Sequence, residues 1–488
     1  MRRLPLAIAL LLAATVARAQ SAAYDLVIAN GRVIDPESKL DAVRNVGIRG
    51  DKIAAISATP LHGKRTIDAK GLVVAPGFID LHVHGQDDEN YRIYALDGVT
   101  TALELEVGTD DVPGFYAARA GKALINFGAS SGHVPARMTV MHDGGVPLHT
   151  LLPLDKAGHD VANASQIAEI RARIEQGLAQ GALGVGMGLQ YTPAATKYEV
   201  LEAFRGAARY HAPVFVHTRS WGDADPGSAV ESYMEVIAAS AISGAPVHFV
   251  HLNSTSLAAT PRTLAMVADA QARGIDVTAE AYPYSAGMTE ISSPLLDQFA
   301  NGPDSMFAKL MLVRTGERLT RATFEANRKP GEMVILFLNT PEMEAMAMTS
   351  PLTAIASDGR IHDGLGHPRT AGTAGRTLAY YVRETKQLTL NEALRKMTLM
   401  PAQRLEKLAP VFRNKGRLKV GADADVTVFD AATVSDRSTY KQPALPSVGF
   451  RHVIVNGVPV VTDGSVNGGV FPGQGMRAGK PPVAKGAF

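Results

Sequence analysis

The chain has 488 residues, 46% of them hydrophobic and 20% charged, which excludes a disordered chain or a coiled coil and supports a large buried core. Lys and Arg total 49 against 47 Asp and Glu, a net charge of +2, so there is no electrostatic case for a nucleic acid or a membrane surface as partner. No cysteine is present, which excludes disulfides, a lipoprotein anchor and thiolate metal sites; any metal must be held by nitrogen and oxygen ligands.

Residues 1–19, MRRLPLAIALLLAATVARA, have the form of a secretory signal peptide. Arg2 and Arg3 give the positive start, and Leu4 to Val16 is an apolar run too short to span a bilayer. Ala17-Arg18-Ala19 is a small-x-small cleavage site. An uncleaved anchor is the alternative. The expectation is a secreted, soluble chain, periplasmic in a Gram-negative host, with no membrane partner after cleavage.

Residues 20–75 alternate short apolar runs with Gly, Asn and Asp turns and predict strands. Residues 413–465 do the same, and Val455-Asn456-Gly457 is a hairpin signal. The two segments are expected to pair into one small β-sandwich domain. Between them, over 76–412, strands alternate with amphipathic helices, as expected of an α/β protein with a (β/α)8 barrel. One such helix, over 165–182, carries Ile167, Ile170, Ile174 and Leu178 on one face, with Ser165 as its cap. A doubly wound sheet is the alternative fold, but no glycine-rich phosphate motif follows a strand. Residues 285–350 break the alternation and read as a helical insertion or a lid over the barrel mouth. The end, 466–488, is rich in Gly, Pro and Ala and is expected to be an extended, loosely held tail.

The strongest chemical signal is Pro76 to His84, PGFIDLHVH. His82 and His84 are two apart on a strand, so both rings face one side and can reach one metal ion. His217 and His251 close two later predicted strands, and Asp358 follows a third, where a carboxylate can bind metal and take a proton from water. Four histidines and an aspartate could hold two divalent ions, and a close pair needs a bridging ligand. The strand 183–191 has no lysine to serve. Glu104 and Glu106 share a face of the apolar strand TALELEVG, where uncompensated carboxylates are costly. Glu106 lies nearer the C-terminal end and is the bridging candidate; Glu104 is the alternative.

These blocks, with DGVTT, GALGVGMGLQYTP, VHTRS, VHLNS, AYPYSAG, HPRTAGT and MTLMPAQRL, stand in an order that resembles the amidohydrolase superfamily, and within it the D-aminoacylase (N-acyl-D-amino-acid deacylase) group. The resemblance implies zinc, one or two ions, with His82, His84 and Asp358 on one and His217 and His251 on the other. The metal would polarise the amide carbonyl and activate water, and Asp358 would pass the proton to the leaving amine. It further implies that His133 touches the substrate or supports the site, and that Tyr284 and His367 lie near the pocket. Arg219 and Arg369 would face a substrate carboxylate, which guanidinium groups bind bidentately.

Two positions depart from the group's pattern. Glu106 stands where its members carry a bridging cysteine, and Asn253 where they often carry a lysine that helps hold the carboxylate. The expected activity is hydrolysis of N-acyl-D-amino acids, a small-molecule amide substrate. The alternatives are a dipeptidase or cyclic-amide hydrolase on the same fold, and a non-catalytic binding protein that retains it.

Overall fold

The computed structural model describes residues 24–145, 152–300 and 302–479. The signal-peptide reading of 1–19 lies outside them. Among the described residues, no helix is long and apolar enough to cross a membrane.

Strands from the two ends of the chain form one nine-stranded sheet. Tyr24–Asp35, Leu40–Arg49 and Lys52–Ser57 run antiparallel, while Gly63–Asp68 and Val73–Pro76 pair in parallel with Tyr24–Asp35. The join between the ends is Val73–Pro76 against Val426–Phe429, with Val74 opposite Val428. Leu26, Ile28, Val46, Ile48, Val74, Val426 and Ile454 fill the core of this domain. The hairpin signal holds: Phe450–Val455 and Val458–Thr462 meet through Asn456 and Gly457, both at positive φ. That is the turn whose twist matches paired strands.

The middle of the chain is a barrel of eight parallel strands whose neighbours follow chain order. They are β1 (Phe78–Asp80), β2 (Val99–Thr109), β3 (Asn126–Gly132), β4 (Val185–Gly188), β5 (Val214–His217), β6 (Val247–Phe249), β7 (Val277–Ala281) and β8 (Thr353–Ile355). The strands are short and almost wholly buried, as expected when helices cover a parallel sheet. Just beyond β1 and β8 the barrel is drawn shut. Asp358 N–H donates to the His82 carbonyl (2.8 Å), and His84 N–H to the Gly359 carbonyl (2.8 Å). Asp80 Oδ1 accepts from both His82 N–H and Ser357 N–H, each at 3.0 Å.

The helix Ala164–Ala179 buries Ile167, Ile170, Ile174 and Leu178 as expected. Its cap is Asn163 rather than Ser165. The Asn163 side chain accepts from Gln166 N–H while the Gln166 side chain accepts from Asn163 N–H, so both donors are satisfied at once.

The segment 285–350 is inserted between β7 and β8. It is not purely helical: Gly287–Glu290, Met333–Leu336 and Leu310–Leu312 form a three-stranded antiparallel sheet. Its core, with Ile291, Phe299, Phe307 and Val334, takes in Val107 and Tyr191 from the barrel. The insertion therefore packs against the barrel mouth. The tail corrects its reading. Through residue 479 it is extended but docked: Gly473 N–H donates to Ala123 O, Met476 N–H to Phe127 O, and Tyr116 O–H to Met476 O. Gly475 permits this approach, since a Cβ there would lie 2.7 Å from the Tyr116 ring.

Asp97 ties the wall after β1 to the helix Arg369–Arg376, accepting from Ala374 N–H (2.7 Å) and Gly375 N–H (2.9 Å). Burial pushes its carboxyl up to about 8 from an ordinary value of 3.8. Between those pH values the folded chain keeps a proton that the unfolded chain has released, so stability falls as pH rises through the window. Chemical denaturation should show the stability of the wild type relative to Asp97→Asn falling by more than about 1 kcal/mol from pH 4 to pH 8. A difference that stays flat with pH would refute the buried proton.

Candidate metal centre

The C-terminal ends of five strands deliver acids and imidazoles to one point. His82 and His84 follow β1, Glu106 lies on β2, His217 ends β5, His251 follows β6 and Asp358 follows β8. Their side chains fall into two groups of candidate ligands that share Glu106. In the first, Glu106 Oε2 lies 3.1 Å from His82 Nε2 and 3.0 Å from His84 Nε2. Asp358 Oδ1 lies 3.2 Å from His84 Nε2 and 3.4 Å from His82 Nε2. In the second, Glu106 Oε1 lies 2.7 Å from His217 Nδ1 and 3.3 Å from His251 Nε2. Each oxygen of one buried carboxylate thus faces a different group.

The partners behind the rings set their tautomers. His82 Nδ1 lies 2.7 Å from Glu280 Oε1, and His84 Nδ1 lies 2.9 Å from Glu104 Oε2. An ionised carboxylate only accepts, so both Nδ1 atoms carry protons and both neutral rings turn lone pairs inward. The two Nε2 atoms are 3.2 Å apart. Two imidazole lone pairs and two carboxylate oxygens therefore converge with no proton between them. A divalent cation resolves that arrangement, and all the donors are nitrogen or oxygen. With a proton in its place, burial would pull the His82 imidazole down, but Asp358 and Glu106 outweigh it and raise His82 to about 10. Such a strong demand for positive charge is what a metal satisfies.

Over the centre, roofed by the insertion, lies a small cavity. His217, His251 and Asp358 form part of its floor, and Trp221, Leu257, Leu295, Leu336 and Leu338 make its walls mostly apolar. Among the described residues, no lysine or arginine lines it. A second recess, on the His84 side, is lined by Arg360 and Arg369.

The chain matches the amidohydrolase family over residues 73–460. The chain belongs to that family. Among its relatives, the D-aminoacylase of Alcaligenes xylosoxydans xylosoxydans is 30% identical over 91% of this chain and 96% of its own. The N-acyl-D-glutamate deacylase of the same organism is 31% identical over 89% of this chain and 93% of its own. The crystal structure of the N-acyl-D-glutamate deacylase from Bordetella bronchiseptica, complexed with zinc and a phosphonate mimic of the tetrahedral intermediate, superimposes with a TM-score of 0.78. It is 26% identical and covers 93% of this chain and 100% of that one.

Against this amidohydrolase frame, the expected site residues divide. His82, His84, Glu106, His217, His251 and Asp358 come together as a ligand set. Glu104, the alternative bridge, instead holds His84 from behind and accepts from Val107 N–H (3.2 Å). Arg369 is buried at the centre: Nη2 donates to Asp358 Oδ2 at 2.8 Å, and the guanidinium lies 4.6 Å over the Tyr282 ring. His367 is next to it, with Nδ1 accepting the Arg369 N–H at 3.1 Å. Burial, reinforced by Arg369, holds the His367 imidazole well below its ordinary value, so it is a neutral acceptor.

The remaining expectations are corrected. Arg219 forms a two-pronged pair with Glu235 (2.7 and 3.0 Å) and donates to the Pro193 carbonyl (2.9 Å), so its guanidinium is spent on packing. Asn253 donates to the backbone carbonyls of Tyr282 (3.2 Å) and Tyr284 (3.5 Å) and joins two loops. Tyr284 directs its hydroxyl to Asp436 at 3.3 Å, outside the cavity over the centre. His133 lies 2.8 Å from Glu199, which also pairs with Arg137, in a buried cluster behind β3. The sequence reading missed Glu280 and Tyr282. Glu280 gave the same signal as Glu106, an acid inside an apolar barrel strand. Tyr282 stands beside the Tyr284 that was chosen, and it is Tyr282 that lines the cavity.

Metal analysis of purified variants tests the bridge. Glu106→Ala should bind fewer divalent ions per chain than the wild type. Glu104→Ala should keep the same number but bind them about 10–100-fold more weakly, the usual loss when a partner behind a ligand is removed. Full stoichiometry in Glu106→Ala would show that the carboxylate does not bridge.

Proposed function

We propose that the chain is a zinc-dependent deacylase that hydrolyses the amide bond of N-acyl-D-amino acids. The observation that carries this reading is Arg369. Its Nε and Nη1 are buried and have no hydrogen-bond partner in the structure, while Nη2 is fixed on Asp358. A buried cation with unpartnered donors beside a metal centre suits a substrate carboxylate, which takes charge-assisted hydrogen bonds from a guanidinium. The curated relatives named above act on N-acyl-D-amino acids by name, which supports the same substrate class here.

His82, His84, Glu106, His217, His251 and Asp358 would hold the zinc, which would supply Lewis acidity for the amide carbonyl and lower the pKa of water. The protein does the rest. His82 and His84, locked by Glu280 and Glu104, present lone pairs in a fixed geometry. Asp358 is ionised: burial opposes this, but Arg369 and His82 hold its carboxyl well below the ordinary value. With its Oδ2 held by Arg369, Asp358 takes the proton from water and delivers it to the leaving amine nitrogen. The apolar cavity accepts an uncharged group, since an acidic side chain there would be buried without a cation. The insertion keeps bulk water from the site.

The dipeptidase and cyclic-amide alternatives drew on Asn253 as a sign of a changed carboxylate site. Asn253 is committed to backbone, so it favours neither. Export through residues 1–19 remains part of this proposal; amino-terminal sequencing of the protein recovered from a cell fractionation tests it, and an intact Met1 would refute it.

The deciding assay is hydrolysis by the zinc-loaded protein of N-acetyl-D- and N-acetyl-L-amino acids, with dipeptides and cyclic amides alongside. Release of D-amino acids, best with uncharged side chains, is expected. Activity confined to dipeptides or cyclic amides would overturn the reading. Arg369→Met should raise KM for N-acyl-D-amino acids by about 10–100-fold, the worth of a charge-assisted pair. An unchanged KM would remove Arg369 from the carboxylate site.

A further inference from the structure

The cavity over the metal centre carries a polar group that the proposed reaction leaves idle. Leu336 ends the inserted strand Met333–Leu336, Leu338 and Asn339 follow it, and all three line the cavity. Asn339 stands just before Thr340, the N-cap of the helix Pro341–Thr349, whose Oγ1 accepts from Met343 N–H at 3.3 Å. Asn339 Oδ1 in turn accepts from Thr340 N–H at 3.0 Å. A side-chain amide accepts only through its oxygen, so this bond fixes which end of the Asn339 amide is which. Nδ2, the donating end, is buried and has no hydrogen-bond partner in the structure.

A complementary group lines the same cavity. Ser254 donates its hydroxyl proton to the His251 carbonyl at 3.2 Å. A hydroxyl has a single proton to give, so toward the cavity the Ser254 oxygen accepts. The lining therefore offers a donor and an acceptor among the apolar side chains of Trp221, Leu257 and Leu295.

Substrate side chains meet these groups differently. An alkyl side chain buries the Asn339 donor unpaired, which is unfavourable. A carboxylate would lie in a cavity that Asp358 also lines and that no lysine or arginine lines among the described residues. An ammonium would face a donor. A neutral carboxamide brings a carbonyl for Asn339 Nδ2 and an N–H for Ser254 Oγ. The side chain, rather than the acyl group, falls in this cavity because it shares a carbon with the α-carboxylate. Tyr282 joins their two sites: the Arg369 guanidinium lies 4.6 Å over its ring, and Tyr282 itself lines the cavity.

We infer that Asn339 is a specificity-determining residue and that the preferred substrates are N-acyl-D-amino acids with a side-chain carboxamide, D-asparagine or D-glutamine. This rests on the deacylase reading and on Arg369 as the carboxylate site.

The test is steady-state hydrolysis by the zinc-loaded full chain of two shape-matched pairs. These are N-acetyl-D-asparagine against N-acetyl-D-leucine, and N-acetyl-D-glutamine against N-acetyl-D-methionine, with N-acetyl-D-glutamate alongside. At least one carboxamide should exceed its apolar partner in kcat/KM by about 10-fold, the effect of one hydrogen bond to a donor otherwise buried unpaired. Asn339→Leu keeps the volume and removes the donor; it should bring that ratio to about one or below at wild-type zinc content. An apolar preference in both wild-type pairs, or an unchanged ratio in Asn339→Leu, would overturn the inference. If Asn339→Leu does not fold, the wild-type order still decides whether the cavity reads a carboxamide. Inactivity on every compound would refute the deacylase reading and this inference with it, whereas activity with an apolar preference would refute this inference alone.

Discussion

The buried carboxylate of Glu106 is the constraint around which the barrel is organised. It sits inside a sheet where an isolated charge would be prohibitively costly, and each of its oxygens faces a separate group of imidazoles. Those imidazoles come from β1, β5 and β6, and Asp358 from beyond β8, so no single element could assemble the set. Parallel strands closed into a ring bring their C-terminal ends to one mouth, and donors far apart in sequence then meet within a few ångströms. The closure beyond β1 and β8 has the same purpose. Asp358 N–H on the His82 carbonyl fixes the first and last members of the ligand set to one another.

Negative charge at this mouth is compensated in layers. The cation demanded by the convergent lone pairs is the innermost. Arg369 is the next: it stacks on Tyr282, holds one oxygen of Asp358 and leaves two donors over. Its position is secured from behind by His367, which accepts its backbone N–H, and by Asp97, which grips the same helix further along. A guanidinium this buried keeps its orientation because its surroundings are packed, so it presents its donors without further loss of side-chain entropy. The roof over the site is apolar, and a low-dielectric roof strengthens each of these charge interactions.

Much of this was legible in sequence because it depends on period and position. The H-x-H pair at 82 and 84, histidines at the ends of β5 and β6, and the Asn-Gly hairpin are local patterns with direct geometric meaning. So is the strand-rich character of both chain ends. What escaped depends on partners distant in sequence. Arg219 follows a site histidine by two residues, yet Glu235 on the next helix claims it. Tyr282 and Tyr284 are equivalent in sequence, and only the path of the loop after β7 decides which faces the cavity. The cap at Asn163 is the exception, since its reciprocal bond with Gln166 is a local pair three apart that the sequence itself offers. The inserted sheet has weak alternation and draws part of its core from the barrel, so its pattern is not self-contained.

A carboxylate where the two groups of candidate ligands meet binds metal differently from a thiolate. A thiolate would offer one soft atom to both groups, whereas Glu106 turns a separate hard oxygen to each. With no cysteine anywhere in the chain, the centre loses the preference for soft ions that a thiolate imposes. Selection among metals then falls to ligand number, charge and rigidity. Those are the properties in which the two ends differ, because the acids behind His82 and His84 have no counterpart behind His217 and His251. The asymmetry also suits the placement of Asp358. In the proposed reaction the residue that accepts and releases a proton stands at the end with the most fixed charge, with one oxygen held by Arg369.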